Sequence, residues 1–485
     1  MDDSSEHAHY ARFISAQLPE AEVRVASVRG STELGGLWEF HLALHFDQDV
    51  PIDATALLEA PAALYWESST GSVEAPFYGV VREVELLEAL PGHWIQYRVV
   101  LVPTLWYLSQ TFRSRVFTDI SVPDIVDTVL ADAGLASGTD YQWGLASRGA
   151  YPTREYVVQY EESDLDFVSR LLEHEGIFFY AHAEGDHESW MLGDHNDAFE
   201  DLEVTEVAYD VRDHTDSLID NRFSRFYDRV ASVPSHVVTR DYASDTPGVR
   251  IQRKHQVTDA GMGQVFLTRD HLLEDGGAQR LAKVRAEEIA ARERTFRARG
   301  VVQGLRAGHR IELTDHPVGD LNGAYIVVEV DYEQSHGVAD LSVELIAADV
   351  PYRPSRLTPR PRVHGYLPAH VDGEVVGVPA PLDERGRYKL VLPYDSVGEP
   401  GGRATCWIRM AQTFSGPGYG MHFPLHTGTE VLVAHLDGDP DRPLIVGSVP
   451  NPETITPVVQ ENATQSVVRT KAGIVQEYED DAHPT

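Results

Sequence analysis

Gly386-Arg-Tyr-Lys-Leu-Val-Leu-Pro-Tyr-Asp395, Thr405-Cys-Trp-Ile-Arg-Met-Ala-Gln412 and Gly428-Thr-Glu-Val-Leu-Val-Ala-His-Leu-Asp-Gly-Asp-Pro-Asp-Arg-Pro-Leu-Ile-Val-Gly-Ser448 decide how this chain is read. Each is a short aliphatic or β-branched run fenced by Gly, Pro and Asp, the pattern of a small closed sheet. With Arg362–Tyr366 and Ala369–Val371 before them they predict about five strands in roughly 90 residues, which suits an oligonucleotide/oligosaccharide-binding (OB) type barrel over 362–451.

On the C-terminal side, 452–485 opens with the punctuated linker Asn451-Pro-Glu-Thr-Ile-Thr-Pro457. It continues as two short strands between Gln465 and Asp481, hinged at Lys471-Ala-Gly473. Two strands that short bury no core and need partners from further chain or other subunits. On the N-terminal side, 351–361 is a Pro/Arg linker. Its prolines hold it extended, and its arginines either dock on an acidic body or stay solvated.

Before that linker the chain alternates strand and helix blocks. Residues 1–103 read as strands: Trp38–Phe46 alternates large apolar with smaller or polar side chains, and Phe77–Leu86 turns through Leu90-Pro-Gly-His93 into Trp94–Pro103. Residues 104–204 read as an α+β insert. Leu105–Ser109 is a short helix, and Ser121–Gly134 is a helix with Ser121 as N-cap, Pro123 near N1 and Asp124 at N3. Ser163–Gly176 starts on Ser, ends on Gly and runs into a strand at Ile177–Tyr180. Residues 205–350 return to strands, with one charged helix at Ala278–Thr295. The hairpins 77–103 and 325–351 share a layout: aromatic, Val-Val, acid, Val, turn, second strand, Val-Pro. That predicts a duplicated barrel.

Composition excludes several functions. At 485 residues the chain exceeds one core. Its net charge of −36, from 76 acidic against 40 basic residues, argues against nucleic-acid binding, which needs a basic face. The single cysteine, Cys406, precludes an internal disulfide and fits a reducing compartment. The N-terminus has neither a basic nor an apolar signal region, and no apolar run approaches the ~18 residues of a membrane helix. Export would need another machine.

Site chemistry is sparse. Asp186-His187-Glu188 with Asp194-His195-Asn196-Asp197 is dense enough in carboxylate and imidazole to bind a divalent ion. The spacing instead fits polar turns around the short strand Ser189–Gly193. His309, His336, His364, His422, His426 and His435 show no recurring ligand spacing. There is no Gly-x-Ser-x-Gly elbow and no phosphate-binding loop, and Gly261-Met-Gly-Gln-Val265 lacks the lysine one requires. Cys406, beside Trp407 in an apolar run, reads as a buried inert thiol. The OB face could offer Arg387, Tyr388, Lys389, Trp407 and Arg409 to a ligand, but in an acidic chain subunit packing is the simpler reading. No catalytic, cofactor-binding or metal residue is assigned, and no cofactor is expected.

The chain resembles the valine-glycine-repeat protein G (VgrG) spike family of type VI secretion systems, related to the baseplate hub and tail spike of contractile phages. Pro103–Leu108, Asp164–Tyr180, Gly304–Leu313, Pro361–Gly365, Cys406-Trp-Ile-Arg409 and Leu436-Asp-Gly-Asp-Pro-Asp-Arg-Pro443 carry the resemblance, which covers nearly all of 10–481. It implies a mainly β fold with an α+β insert. The expected parts are a first hub β-barrel (1–103), an insert (104–204), a second hub barrel (205–350), an OB-like neck (362–451) and the start of an intertwined β-prism or β-helix needle. It also implies a non-enzymatic homotrimer seated on hexameric tube rings and baseplate proteins. A Pro-Ala-Ala-Arg-type conical tip and effectors would ride on the needle. Such a spike is cytoplasmic when assembled, is exported by the contractile machine, and meets the target membrane only by mechanical puncture. Two departures stand out: a needle that is a stub unless the chain continues further, and Gly416-Pro-Gly-Tyr-Gly420 where the family has a Gly-Trp-Gly-like segment. The rivals are a spike of an extracellular contractile particle or phage tail and, from other classes, a carbohydrate-binding or wall-degrading OB-fold protein.

Overall fold

The computed structural model describes residues 10–18, 23–49, 52–67, 76–185, 187–211, 221–272, 274–335 and 338–480. The chain divides into two units. The first spans 1–111, 121–152 and 163–359, and the second spans 112–120, 153–162 and 360–485.

The first unit opens with β1 (Tyr10–Ser15), β2 (Arg24–Glu33), β3 (Glu39–Asp47), the one-turn α1 (Ala54–Leu57), β4 (Pro61–Glu67), β5 (Phe77–Leu90) and β6 (Trp94–Val102). Asp53 caps α1 through the Thr55 and Ala56 N–H groups. These six strands are ordered β1-β4-β5-β6-β3-β2. Alternation along β3 sends Phe40, Leu42, Leu44 and Phe46 inward. Phe40 and Phe77 meet at 4.7 Å, with Trp38 and Trp66 around them.

The insert follows, with a 3₁₀ turn at Thr104–Gln110, β7 (Phe112–Ile120), α2 (Val122–Asp132), β8 (Tyr141–Gly144), β9 (Arg154–Ser163), α3 (Asp164–Glu175), β10 (Phe178–Glu184) and β11 (His187–Gly193). Ser121 and Ser163 cap α2 and α3 as their sequences predict, and Gly176 ends α3 at φ +77°, in the left-handed region glycine favours. Strands β7 and β9 pair with each other and belong to the second unit, so 104–204 is not one block.

The remaining strands of the first unit are β12 (Glu200–Tyr209), β13 (Arg222–Val230), the small sheet of β14 (His236–Asp241), β15 (Ile251–Gln256) and β16 (Gln264–Thr268), then β17 (Arg294–Val301), β18 (His309–Thr314), β19 (Gly323–Ser335) and β20 (Val338–Ala347). Helix α4 (Asp275–Ala290) precedes β17. It ends earlier than expected, because a turn at 291–293 intervenes and Thr295 is a buried strand residue. The six long strands close in the ring β12-β18-β19-β20-β17-β13. Ranked along the chain, that is the same 1-4-5-6-3-2 order as β1–β6.

Details repeat as well as order. Both central hairpins slip register by one residue at their paired valines or next to them, between Val81 and Glu83 and between Val327 and Glu329, and β5 slips again between Leu86 and Glu88. Just before β4 and β18, Glu59 and Gly308 both take positive φ, and their N–H groups donate to Val81 O at 2.8 Å and Val327 O at 2.9 Å. The duplication expected from two hairpins is therefore a repeat of whole barrels. They join where β19 pairs antiparallel with β2, Glu329–Ser335 against Glu33–Ser27. There Tyr332 stacks on Trp66 at 5.7 Å, and Trp66 Nε1 donates to Gln334 Oε1 at 2.7 Å.

The second unit holds a four-stranded sheet, β22-β21-β25-β26, of β21 (Tyr366–Val371), β22 (Leu390–Val391), β25 (Glu430–His435) and β26 (Pro443–Ser448). The two-residue β23 (Ser415–Gly416) and β24 (Tyr419–Gly420) pair beside the 416–420 glycine segment. Thr405–Gln412, expected as a strand, joins through single bridges, Tyr388 with Ile408 and Met410 with Ile445. Tyr156 and Val158 of β9 share this core with Tyr388, Leu390, Val431 and Ile445. The last pair is β27 (Gln465–Arg469) with β28 (Val475–Glu479), turning at Gly473 with φ +94°.

Polar groups sequence reasoning passed over pin the first unit. Asn196 donates to Ala348 O (2.9 Å) and Val350 O (2.7 Å) and accepts from Tyr352 N–H (3.0 Å). The linker arginines dock rather than float: Arg353 Nε reaches Glu287 at 2.8 Å and Arg356 reaches Asp270 at 2.8 Å. Burial alone would raise the Asp270 carboxyl, but His174 and Arg356 outweigh it and hold it well below the ordinary range. Asn196→Ala leaves the Ala348, Val350 and Tyr352 backbone groups unpaired, so about 1–3 kcal/mol of stability should be lost, read as an earlier urea midpoint at unchanged slope.

Glu188 supplies a pH test. Its carboxyl accepts from Trp38 Nε1 at 2.5 Å, and burial pushes its pKa up to about 8, opposed by Arg306 and the two indoles. Folding thus favours the protonated form: this contribution is whole below the ordinary 4.5 and is lost as pH rises through about 8. Glu188→Gln should stabilise the protein by on the order of 1–2 kcal/mol at pH 8.5 and change little at pH 4, in paired denaturation curves.

Candidate functional site

The metal-like cluster of the sequence does not assemble as one. Asp186 lies outside the described residues. His187 and Glu188 belong to β11 rather than to a solvated turn, and Glu188 turns its carboxyl into the first unit, beside a cleft of about 610 Å³ walled by Ile14, Pro61, Leu105 and Trp190. Asp194 is already saturated, accepting from Ala146 N–H (2.8 Å), Tyr151 OH (2.7 Å) and His195 Nδ1 (2.9 Å). Burial pulls its pKa up, yet those bonds win and hold it below the usual range. Asp194 therefore works as a staple between the β11 end and the loop after β8.

The histidines stay apart. Burial, with Arg306 and His182 nearby, lowers His309 to about 3, and its Nδ1 accepts from Arg306 N–H at 3.2 Å. Burial lowers His435 to about 4. Both are neutral at pH 7. His422 stacks on Tyr388, His364 is exposed, His426 is half-buried, and His336 lies outside the described residues. The Gly261–Val265 segment is a loop with Met262 exposed. Burial pushes the Cys406 thiol up to about 12, which fits an inert thiol.

The five residues of the supposed OB ligand face are dispersed. Tyr388 is core. Arg387 is held by Asp383 at 2.6 Å, and Lys389 donates to Gly402 O at 2.8 Å while lying over Trp407. Trp407 is half-buried and Arg409 exposed. The loop there is organised by Asp372, unremarked in the sequence, whose carboxylate accepts from the Gly373, Gly401 and Gly402 N–H groups, each at 2.8 Å. The Leu436–Pro443 motif is a second clasp. Asp437 and Gly438 take positive φ, Asp439 accepts from Arg360 at 3.0 Å, and Asp441 accepts from Val158 N–H at 2.7 Å.

Among the described residues, what the second unit presents is exposed apolar surface. The β27–β28 ribbon is half-buried at best, with Ile474 72% and Tyr478 58% exposed. Val376, at 79%, and Phe414, Tyr419 and Phe423 are also open. A two-stranded ribbon is marginal alone.

Residues 32–337 match the family model of the phage tail baseplate hub (GPD), and residues 372–449 match that of the type VI secretion system/phage-baseplate injector OB domain. Among curated relatives, the type VI secretion system spike protein VgrG1b of Pseudomonas aeruginosa is 31% identical over 96% of this chain and 64% of its own length, and VgrG1a is 30% identical over 92% and 70%. The chain thus spans roughly two thirds of the length of these relatives. The actin cross-linking toxin VgrG1 of Vibrio cholerae is 27% identical over 81% of the chain and 37% of its own length. Among solved structures, the E. coli c3393 protein, a type VI secretion component similar to the T4 bacteriophage tail proteins gp27 and gp5, superposes with TM-score 0.63 at 22% identity over 91% of this chain and all of that one. A chain of the Francisella PdpA-VgrG complex gives 0.62 at 9% identity over 98% of this chain and 75% of that one. At such identities these two report the fold. With the hub model matched along most of the chain, and relatives of 30% identity or more matching over nine tenths of this chain, the chain belongs to the VgrG spike family of type VI secretion systems.

Proposed function

We propose that this chain is the homotrimeric hub and spike at the tip of a contractile injection machine, working by mechanical puncture and not by catalysis. The observation that carries this is the β27–β28 ribbon, which exposes Ile474 and Tyr478 and has no core of its own. Three such ribbons winding together would bury those faces and leave few strand edges to peel. The barrels would seat on hexameric tube rings and baseplate proteins. The ribbon end would carry a conical tip protein and effectors. The assembled spike would sit in the cytoplasm until sheath contraction exports it. No helix among the described residues is long and apolar enough to cross a membrane. The non-catalytic reading is supported by the neutral His309 and His435 and by the raised Cys406 thiol.

Sedimentation velocity and negative-stain imaging of the purified chain should give an elongated trimer; a stable monomer would sink this reading. Replacing Ile474 and Tyr478 with Asp should weaken that trimer by roughly tenfold or more in dissociation constant while circular dichroism keeps its β signal. Release of dye from labelled cell-wall fragments should stay at the buffer level, and turnover above it would restore a wall-degrading function.

A further inference from the structure

The cleft beside Glu188 lies between the first barrel and the insert. Strands β1, β4 and β5 give it Ile14, Pro61 and Tyr78, and Leu105, Leu135 and Trp190 close it from the insert side. Its volume of about 610 Å³ is that of a site for a small organic ligand or a single side chain with its neighbours. Glu188 and Trp190 stand two residues apart on β11, so their side chains leave the same face of the strand, and both line the cleft.

Most polar groups of the wall already have partners. Ser15 Oγ donates to Pro61 O at 3.0 Å, and Tyr78 OH donates to Gly185 O at 3.3 Å. Asp140 accepts from Ala136 N–H at 2.7 Å, and His187 Nε2 faces Thr139 O at 3.3 Å. Glu188 is the exception. One carboxyl oxygen accepts from Trp38 Nε1, while Oε1 is buried and makes no hydrogen bond among the described residues. A buried polar atom left unmet is costly, and it marks where a partner belongs. Arg306 favours the charged carboxyl, but its guanidinium is engaged elsewhere. It donates to Pro76 O at 2.6 Å and lies 3.6 Å over the Phe77 ring, with His182 and His309 grouped around it. What the cleft lacks is a donor. It offers an unmet carboxyl oxygen, an indole on the same strand face, a second carboxylate at Asp140 and apolar walls.

We propose that this cleft binds an alkylammonium group, its charged head on Glu188 and beside the Trp190 ring, its apolar chain along Ile14, Pro61 and Leu105. The terminal carboxyl torsion of a glutamate is soft, so a turn about it presents Oε1 to the cleft. The head supplies the missing donor and pairs with the carboxylate, the indole face adds a cation–π attraction, and the chain is removed from water. In the free chain burial keeps Glu188 protonated up to about pH 8. Pairing with the ammonium ionises it, and its proton passes to the buffer. A free amine and the lysine side chain of a partner share this chemistry. The site stands apart from the assembly proposed above and holds in a single chain.

Titration calorimetry of the whole chain with n-hexylammonium chloride tests it. At pH 7, in two buffers of different ionisation enthalpy, binding should saturate and release close to one proton. Affinity should rise by up to about tenfold per pH unit below about 8 and then level off, because the amine itself stays charged to about pH 10. 1-Hexanol should bind more weakly at pH 8.5 and release no proton. Glu188→Gln should lower hexylammonium affinity at pH 8.5 by at least about tenfold, abolish the proton release and leave hexanol binding as it was. The peptide acetyl-Leu-Lys-Leu-amide separates the two sources. If it binds with the same proton release the site takes a partner's lysine, and if hexylammonium alone binds the site takes a free amine; both outcomes support the proposal. Hexylammonium that binds no better than hexanol, that releases no proton, or that binds Glu188→Gln equally well overturns it. Should the variant melt early, the proton release and pH profile of the parent decide the matter by themselves.

Discussion

Backbone N–H and C=O groups at a strand edge must be paired, covered or exposed to water, and the hub is organised by how it meets that demand. Strand β19 is 13 residues long because it serves two ladders in succession. Its first part completes the second barrel, and after the slip at Val328 it lies along β2, where Tyr332 enters the aromatic cluster of Phe40, Trp66 and Phe77. The two barrels are therefore one continuous 12-stranded sheet. Their join is a backbone ladder with an apolar filling, and the exposed pair Arg29–Glu333 on its rim adds little.

Elsewhere short polar clasps add to apolar cores such as that of Tyr388, Leu390, Val431 and Ile445. Glu173 of α3 accepts from Leu357 N–H at 2.9 Å and from Thr358 Oγ1 at 2.7 Å, although burial raises its pKa. Asp372 gathers the glycine loop of the OB-type unit, and Asp439 with Asp441 closes its far turn. In each case one carboxylate satisfies several N–H or O–H donors that a loop would otherwise leave open. That explains why Leu436–Pro443 reads as a distinctive string: two positive-φ positions and two aspartates are needed within eight residues.

Much of the fold was legible in the sequence because its signals are local. Ser121 and Ser163 announce their helices and Gly176 ends one, and the hairpin at Leu90–His93 is written in its turn residues. The duplication left a trace in two hairpins, though its extent lies in strand order, which no local pattern encodes. The Thr405–Gln412 run has strand composition but joins by single bridges, since pairing depends on what lies opposite. β7 and β9 could not be assigned to the second unit, because their partner cores lie more than 200 residues further on. Asn196, Asp372 and Glu188 were missed or misplaced for a related reason. A lone Asn, Asp or Glu carries no sequence mark of the backbone groups or indole it will meet.

The one-residue slips in β5 and β19 also bear on how such a hub can change over time. A slip lets a strand leave one ladder and enter another without a turn, so the join is fixed by backbone count rather than by particular side chains. Substitutions along the edge are then cheap, whereas gain or loss of a single residue near Arg82 or Val328 would invert every side chain beyond it. Surface sequence can drift far in this architecture while strand length stays locked.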